Sequence, residues 1–233
     1  MKAIHILSII ILTASGNFCF GQRQSQVSAG VDIGSGFNNT SWAPSVLYHE
    51  EISPNNLPWL RAGLGIRAWG YYGGRTNLYT TTAGAKDFLE YNNVSANGLS
   101  FVVGANIRLW RIDLGVNTDL IGASLGSRRR GFYDKEATTS PGSGEPHYGK
   151  WLSTSPVILN LAPLALKNYN GQSEVYARIF IFKGMGLKLG YLHGQIAYAT
   201  RKQNGRKVLL DNRQRRLYNV YNMPYVALTF PVY

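Results

Sequence analysis

The sequence predicts an all-β chain, an eight-stranded antiparallel up-and-down transmembrane β-barrel with long extracellular loops. Three observations predict it. Apolar residues recur at every second position through several long segments, which in a strand places them on one face. Charged residues make up only 15% of the chain while Gly reaches 26 of 233 residues, against the roughly 25% and ~7% usual for soluble domains. Long and short connections alternate after the first pair of strands, as the two rims of a membrane barrel require. Wholesale disorder is excluded by a hydrophobic content of 45%.

Eight strands are read near residues 26–35, 44–51, 59–72, 98–109, 111–124, 173–182, 186–200 and 216–232. The first rests on Val27, Ala29, Val31 and Ile33; the second, with the weakest alternation, lies around Ser45 to Glu51. The third is the clearest: Leu60, Ala62, Leu64, Ile66 and Ala68 fall on one side, Arg61, Gly63, Gly65 and Arg67 on the other. Leu99 to Leu109 repeats the pattern with Val102 as its exception, and Ile112, Leu114, Val116, Thr118 and Leu120 continue it against Asp113, Gly115, Asn117 and Asp119. Val175 to Ile181, Leu187 to Tyr191 and Val226 to Val232 supply the last three. Most reach the 9–11 tilted residues that cross a bilayer, and the connections of about 8, 7, 25, 1, 48, 3 and 15 residues put the tight turns on one rim with both termini. A soluble barrel would also alternate, but the polar face carries Gly30, Gly34, Gly63, Gly65, Gly104, Gly115, Gly190 and Gly194, small residues suited to a crowded lumen.

Before the strands, Lys2, the apolar run from Ile4 through Ala14 and a stretch ending Cys19-Phe20-Gly21-Gln22 read as a secretory signal over residues 1–21, leaving a barrel domain over 22–233. Small Cys19 and Gly21 suit peptidase cleavage before Gln22, which would remove the one cysteine; lipidation at Cys19 is disfavoured by bulky Phe18. No window beyond it approaches 18 consecutive apolar residues.

The ending Phe20-Gly21-Gln22, the run Leu60-Arg61-Ala62-Gly63-Leu64-Gly65, the stretch Ser155-Pro156-Val157-Ile158-Leu159-Asn160 and the aromatic last residue Tyr233 together resemble small outer-membrane β-barrel proteins of the Bacteroidota kind, porin-like or OmpA-like. The resemblance implies residence in the outer membrane after export, with insertion by the barrel assembly machinery. Pro231 and the off-face parity of Tyr233 depart from the last-strand pattern that machinery reads.

If the parity holds, the lumen carries Arg61, Arg67, Arg108, Arg178 and Lys188 against Asp32, Asp113, Asp119 and Glu174, near-balanced charges that suit an interior filled by its own side chains. The long loops are basic: Arg128, Arg129 and Arg130 in one, and Arg201, Lys202, Arg206, Lys207, Arg213, Arg215 and Arg216 in another. On a cell surface such side chains would meet the phosphates of lipopolysaccharide; a nucleic-acid partner does not suit an exported barrel without a recognition module. Ser155 to Leu166 is an apolar patch within the longest loop, either a lid or an extra hairpin making ten strands. The histidines show no metal-ligand spacing, and His49 beside Glu50 and Glu51 is the one tight His/carboxylate cluster, with no serine placed to join it. The expected protein is a monomer without metal or cofactor, structural or surface-interacting in outer-membrane lipid. The alternatives are an outer-membrane enzyme acting on lipid or peptide, or a narrow passive pore.

Overall fold

The computed structural model describes residues 26–80, 87–135, 145–210 and 213–232, so the signal segment lies outside the described residues. The strands are β1 Gln26–Phe37, β2 Ser41–Ser53, β3 Leu60–Gly73, β4 Thr76–Tyr79, β5 Asp87–Tyr91, β6 Val94–Leu109, β7 Ile112–Leu125 and β8 Arg129–Lys135. They continue as β9 Trp151–Pro156, β10 Leu159–Leu161, β11 Gly171–Phe182, β12 Met185–Thr200, β13 Lys202–Gln203, β14 Arg206–Lys207 and β15 Arg216–Val232. A 3-10 turn lies at Glu145–His147.

All but β13 and β14 belong to one antiparallel sheet of 13 strands, which corrects the expected count of eight and the simple up-and-down order. A closed circuit of pairings runs β1–β2–β3–β6–β7–β11–β12–β15 and back to β1. These are the long strands whose alternation is plain in the sequence. The additional strands come from connections expected to be loops: β4 and β5 follow β3, and β8, β9 and β10 follow β7. They close a second circuit at the long-loop rim, β12–β15–β4–β5–β8–β9, through Tyr218 opposite Tyr79 and Tyr198 opposite Pro156. β12 and β15 therefore belong to both rings.

The two rings are packed with opposite chemistry. Around the first, Leu64, Phe101, Val116, Val175 and Tyr191 point outward, Leu64 retaining 69% of its accessible surface. Its interior holds Asp32, Arg67, Asp113, Asp119 and Lys188, all fully buried. Val102, which breaks the expected alternation of β6, is an inward apolar residue on a regular strand. The irregularity lies across from it: Phe101 faces Ile121 and Val102 faces Asp119, so Leu120 is a bulge residue that leaves Leu120 and Ile121 both outside. The second ring is an ordinary hydrophobic core in which Leu78, Leu89, Tyr91, Tyr133, Tyr198 and Leu217 are all fully buried.

Connections follow the local chemistry. The first expected loop shrinks to residues 38–40 because Asn38 Oδ1 accepts hydrogen bonds from the Thr40 and Ser41 backbone N–H groups at 2.9 and 2.8 Å, closing a tight turn. Ser155 to Leu166 is not a hairpin: its first residues end β9, which pairs with β8 and β12, Leu159–Leu161 extend the sheet beside β7 above the start of β11, and the Pro163 and Leu166 carbonyls accept from the buried Gln195 amide. In the β13–β14 hairpin Asn204 and Gly205 take φ of 49° and 75°, the left-handed pair that a two-residue turn needs.

Candidate functional site

All eight strands of the first ring contribute side chains to one charged network in its lumen. At its centre Arg67 of β3 donates to Asp119 of β7 at 2.9 Å and lies 3.1 Å from Glu174 of β11. The same Arg67 nitrogen that faces Glu174 donates to the Asn117 side-chain oxygen. Lys188 of β12 bridges Glu174 at 2.6 Å and Asp32 of β1 at 3.0 Å, and the Thr229 hydroxyl of β15 donates to Asp32 at 2.6 Å. Tyr176 and Tyr225 cover the Lys188 ammonium, with ring centroids 4.3 and 5.4 Å away. Fully buried side chains thus fill the middle of this ring, as the interior of eight strands allows.

A second cluster lies toward the short-turn rim. Arg178 of β11 donates to Glu51 of β2 at 3.0 Å and stands 3.5 Å from both Asp32 and Asp113. Arg108 of β6 grips Asp113 with two hydrogen bonds of 2.6 and 2.7 Å, the forked geometry that makes Arg–carboxylate pairs strong. Arg61 reaches Glu51 at 3.6 Å and donates to Ser28 Oγ at 3.3 Å. The His49 imidazole sits between Glu51 at 3.2 Å and Asp32 at 3.6 Å. It lies over Gly30, where a Cβ would come within 3.0 Å of the ring.

Every lumen residue named from the sequence therefore enters one network, and two more join it that charge counting left out, His49 and Glu51. Their signal was in β2: Val46, Tyr48 and Ile52 point outward, so the opposite parity carries Ser45, Leu47, His49 and Glu51 inward. Glu50 separates from them, pointing outward to accept the Tyr48 hydroxyl at 2.6 Å. Among the described residues no group of three or more His, Cys, Asp or Glu is placed to hold a metal ion.

The basic residues of the long connections are dispersed along one rim. Arg128, Arg130, Lys202, Arg206, Lys207, Arg213 and Arg216 are exposed. Arg129, Arg201 and Arg215 are half-buried, with Arg129 donating to Ser95 at 3.2 Å and Arg215 to the Thr200 carbonyl at 2.6 Å. Arg216 lies over the Tyr169 ring at 4.8 Å.

Apolar outside, charged within and closed by pairing, the first ring defines an inside-out β-barrel; no helix among the described residues is long and apolar enough to cross a membrane. No protein-family profile matches the chain, and no curated protein matches it by sequence. Among solved structures it is similar to a major outer membrane protein from Thermus thermophilus, at 8% identity over 88% of this chain and 99% of that one, with a TM-score of 0.42.

Proposed function

We propose that this chain is an outer-membrane β-barrel with a sealed lumen, whose exposed basic rim engages lipopolysaccharide or other anionic surface groups. The observation that carries the reading is the inversion of polarity around the first ring. Outward apolar side chains such as Leu64, Phe101, Val116 and Leu228 would each cost free energy in water, whereas in hydrocarbon they are at home. A soluble barrel has the opposite arrangement, and here only the second ring, beyond the long-strand belt, has it. The lumen is closed by paired charges rather than lined for conduction, which favours a structural or binding role over a pore. The exposed guanidinium and ammonium groups at the long-loop rim are suited to phosphate, which Arg recognises with its planar fork.

The membrane reading is tested with single-cysteine variants carrying a fluorophore in vesicles of quencher-labelled lipid. Leu64→Cys and Val116→Cys should be quenched, and inward Asn106→Cys should not. Folded protein that stays in detergent-free solution with Leu64→Cys never meeting lipid refutes it. The surface role is tested separately: replacing Arg206, Lys207, Arg213 and Arg216 together by Gln should weaken binding of purified lipopolysaccharide to the folded barrel. Unchanged binding refutes that role and leaves the membrane reading standing.

A further inference from the structure

The lumen is sealed at its centre, but at the short-turn rim it opens into a cavity of about 300 Å³. Its inner walls are Arg61, Arg108 and Arg178 with His49 and Glu51; its lip is formed by Arg111 and Lys183 with the rings of Trp110, Phe180 and Phe182. That volume is at the lower end of small-ligand sites. The rim lies on the opposite side of the barrel from the basic loops.

Cations outnumber carboxylates in the described lining of this cavity. Among the described residues of the lumen five carboxylates, Asp32, Glu51, Asp113, Asp119 and Glu174, balance five cations, Arg61, Arg67, Arg108, Arg178 and Lys188. Arg111 at the lip is additional to those five cations. The carboxylates are also unevenly shared. Arg108 takes both oxygens of Asp113, while Glu51 is shared by Arg178, His49 and Arg61; Arg178 and His49 also reach Asp32, whereas among the described residues the carboxylate beside Arg61 is Glu51, at 3.6 Å. Arg61 and Arg178, whose side chains keep 9% and 3% of their surface, each retain a buried Nε–H with no hydrogen-bond partner. Leaving such donors unmatched costs free energy that an anion entering the cavity would recover.

The apolar half of the lining is also ordered. The Arg108 guanidinium stacks at 5.1 Å over Phe180, and that of Arg111 at 5.0 Å over Trp110, so two cations are held against aromatic faces at the edge of the opening. We propose that this cavity binds a phosphate monoester, its head between Arg61 and Arg178 and its apolar body among Phe180, Phe182 and Trp110. The head accepts hydrogen bonds from the unmatched guanidinium N–H groups, and Arg111 draws it to the mouth. The phosphate can belong to a free aryl or alkyl ester or to the headgroup of a lipid in the adjoining leaflet.

The full chain folded in maltoside detergent is titrated calorimetrically with phenyl phosphate, with benzyl alcohol as its uncharged counterpart and with short-chain phosphatidic acid. Saturable binding of phenyl phosphate identifies a free ester; binding of the phosphatidic acid alone identifies a headgroup. Either way Arg61→Met should weaken binding roughly tenfold or more, the loss of a hydrogen bond to a charged group. Arg111→Ala, on an exposed turn outside the lumen network, should weaken it about threefold and keeps the test open if Arg61→Met does not fold. No saturable binding of either phosphate, benzyl alcohol binding equally well, or affinity unchanged in Arg111→Ala and in whatever Arg61→Met folds overturns the proposal.

Discussion

Replacing Arg67 by Met removes the one cation at the centre of the lumen that joins β3 to β7 and β11. Met matches the stem of Arg and fills most of its volume, so the change is chiefly electrostatic. The two carboxylates it leaves are not equally harmed. Glu174 keeps Lys188 at 2.6 Å and the Asn117 amide at 3.0 Å. Asp119 keeps the Gln172 backbone N–H at 2.9 Å and no other cation among the described residues. The damage therefore concentrates on one buried carboxylate, and removing one partner of a buried pair costs about 3–5 kcal/mol. Converting that carboxylate to an amide in Arg67→Met/Asp119→Asn should restore about 1–3 kcal/mol, because the uncompensated charge is gone while the acceptor for Gln172 stays. Equilibrium unfolding in urea, with the barrel in lipid vesicles and tryptophan emission as the signal, measures both. A loss below about 1 kcal/mol in the single variant, or no recovery in the double one, refutes the view that ion pairing at this point holds the lumen together.

Three further outcomes are expected. Leu64→Arg places a charge on the outer face of β3 and should destabilise the barrel in vesicles by roughly 2–4 kcal/mol if it lies near the bilayer midplane, measured by the same unfolding assay; no loss would contradict a lipid-facing Leu64. Trypsin added to intact cells stripped of long polysaccharide should cut at Arg206 or Lys207 in the exposed β13–β14 hairpin, or at Arg128 or Arg130, and mass spectrometry of the fragments decides; cutting only after the outer membrane is opened would reverse the orientation. Gly194→Val should displace the Tyr221 ring that packs directly on Gly194, break the Gln172–Tyr221 hydrogen bond of 3.1 Å and lower the unfolding midpoint, whereas the same change at Gly184, with open space around it, should not.

The first ring was legible in the sequence because each of its strands is long and separates outward-facing from lumen-facing residues, so even Asp32 and Lys188, 3.0 Å apart but distant in the chain, could be assigned to one interior from parity alone. Parity tells which face a side chain takes, not which partner it meets: the shared role of Asp32 between Lys188 and Arg178 needed the register. β2 was obscured because charged Glu50 sits on the outer face and neutralises the pattern of Val46, Tyr48 and Ile52. The second ring was not legible for a different reason. Its strands β4, β5, β8 and β9 have 4, 5, 7 and 6 residues, too few for a period to emerge, and stretches such as Asp87-Phe88-Leu89 bury consecutive residues. The mouth cavity depends on how Arg61, Arg178 and His49 share Glu51, and no spacing along the chain encodes that.

That two strands serve both rings has a consequence for the order of events in folding. β4 and β5 are made early in the chain, yet β4 finds its ring neighbour only at Tyr218, and β9 finds its own only at β12. Until the last strand arrives, the second ring has open edges with unpaired backbone groups and its tyrosine-rich core has no wall. Closure of the two rings is then a single late event, governed by the slow search that joins distant parts of a chain. A chain halted before β15 would present those edges to its neighbours, and the short strands expected to be loops would be the first places where copies adhere.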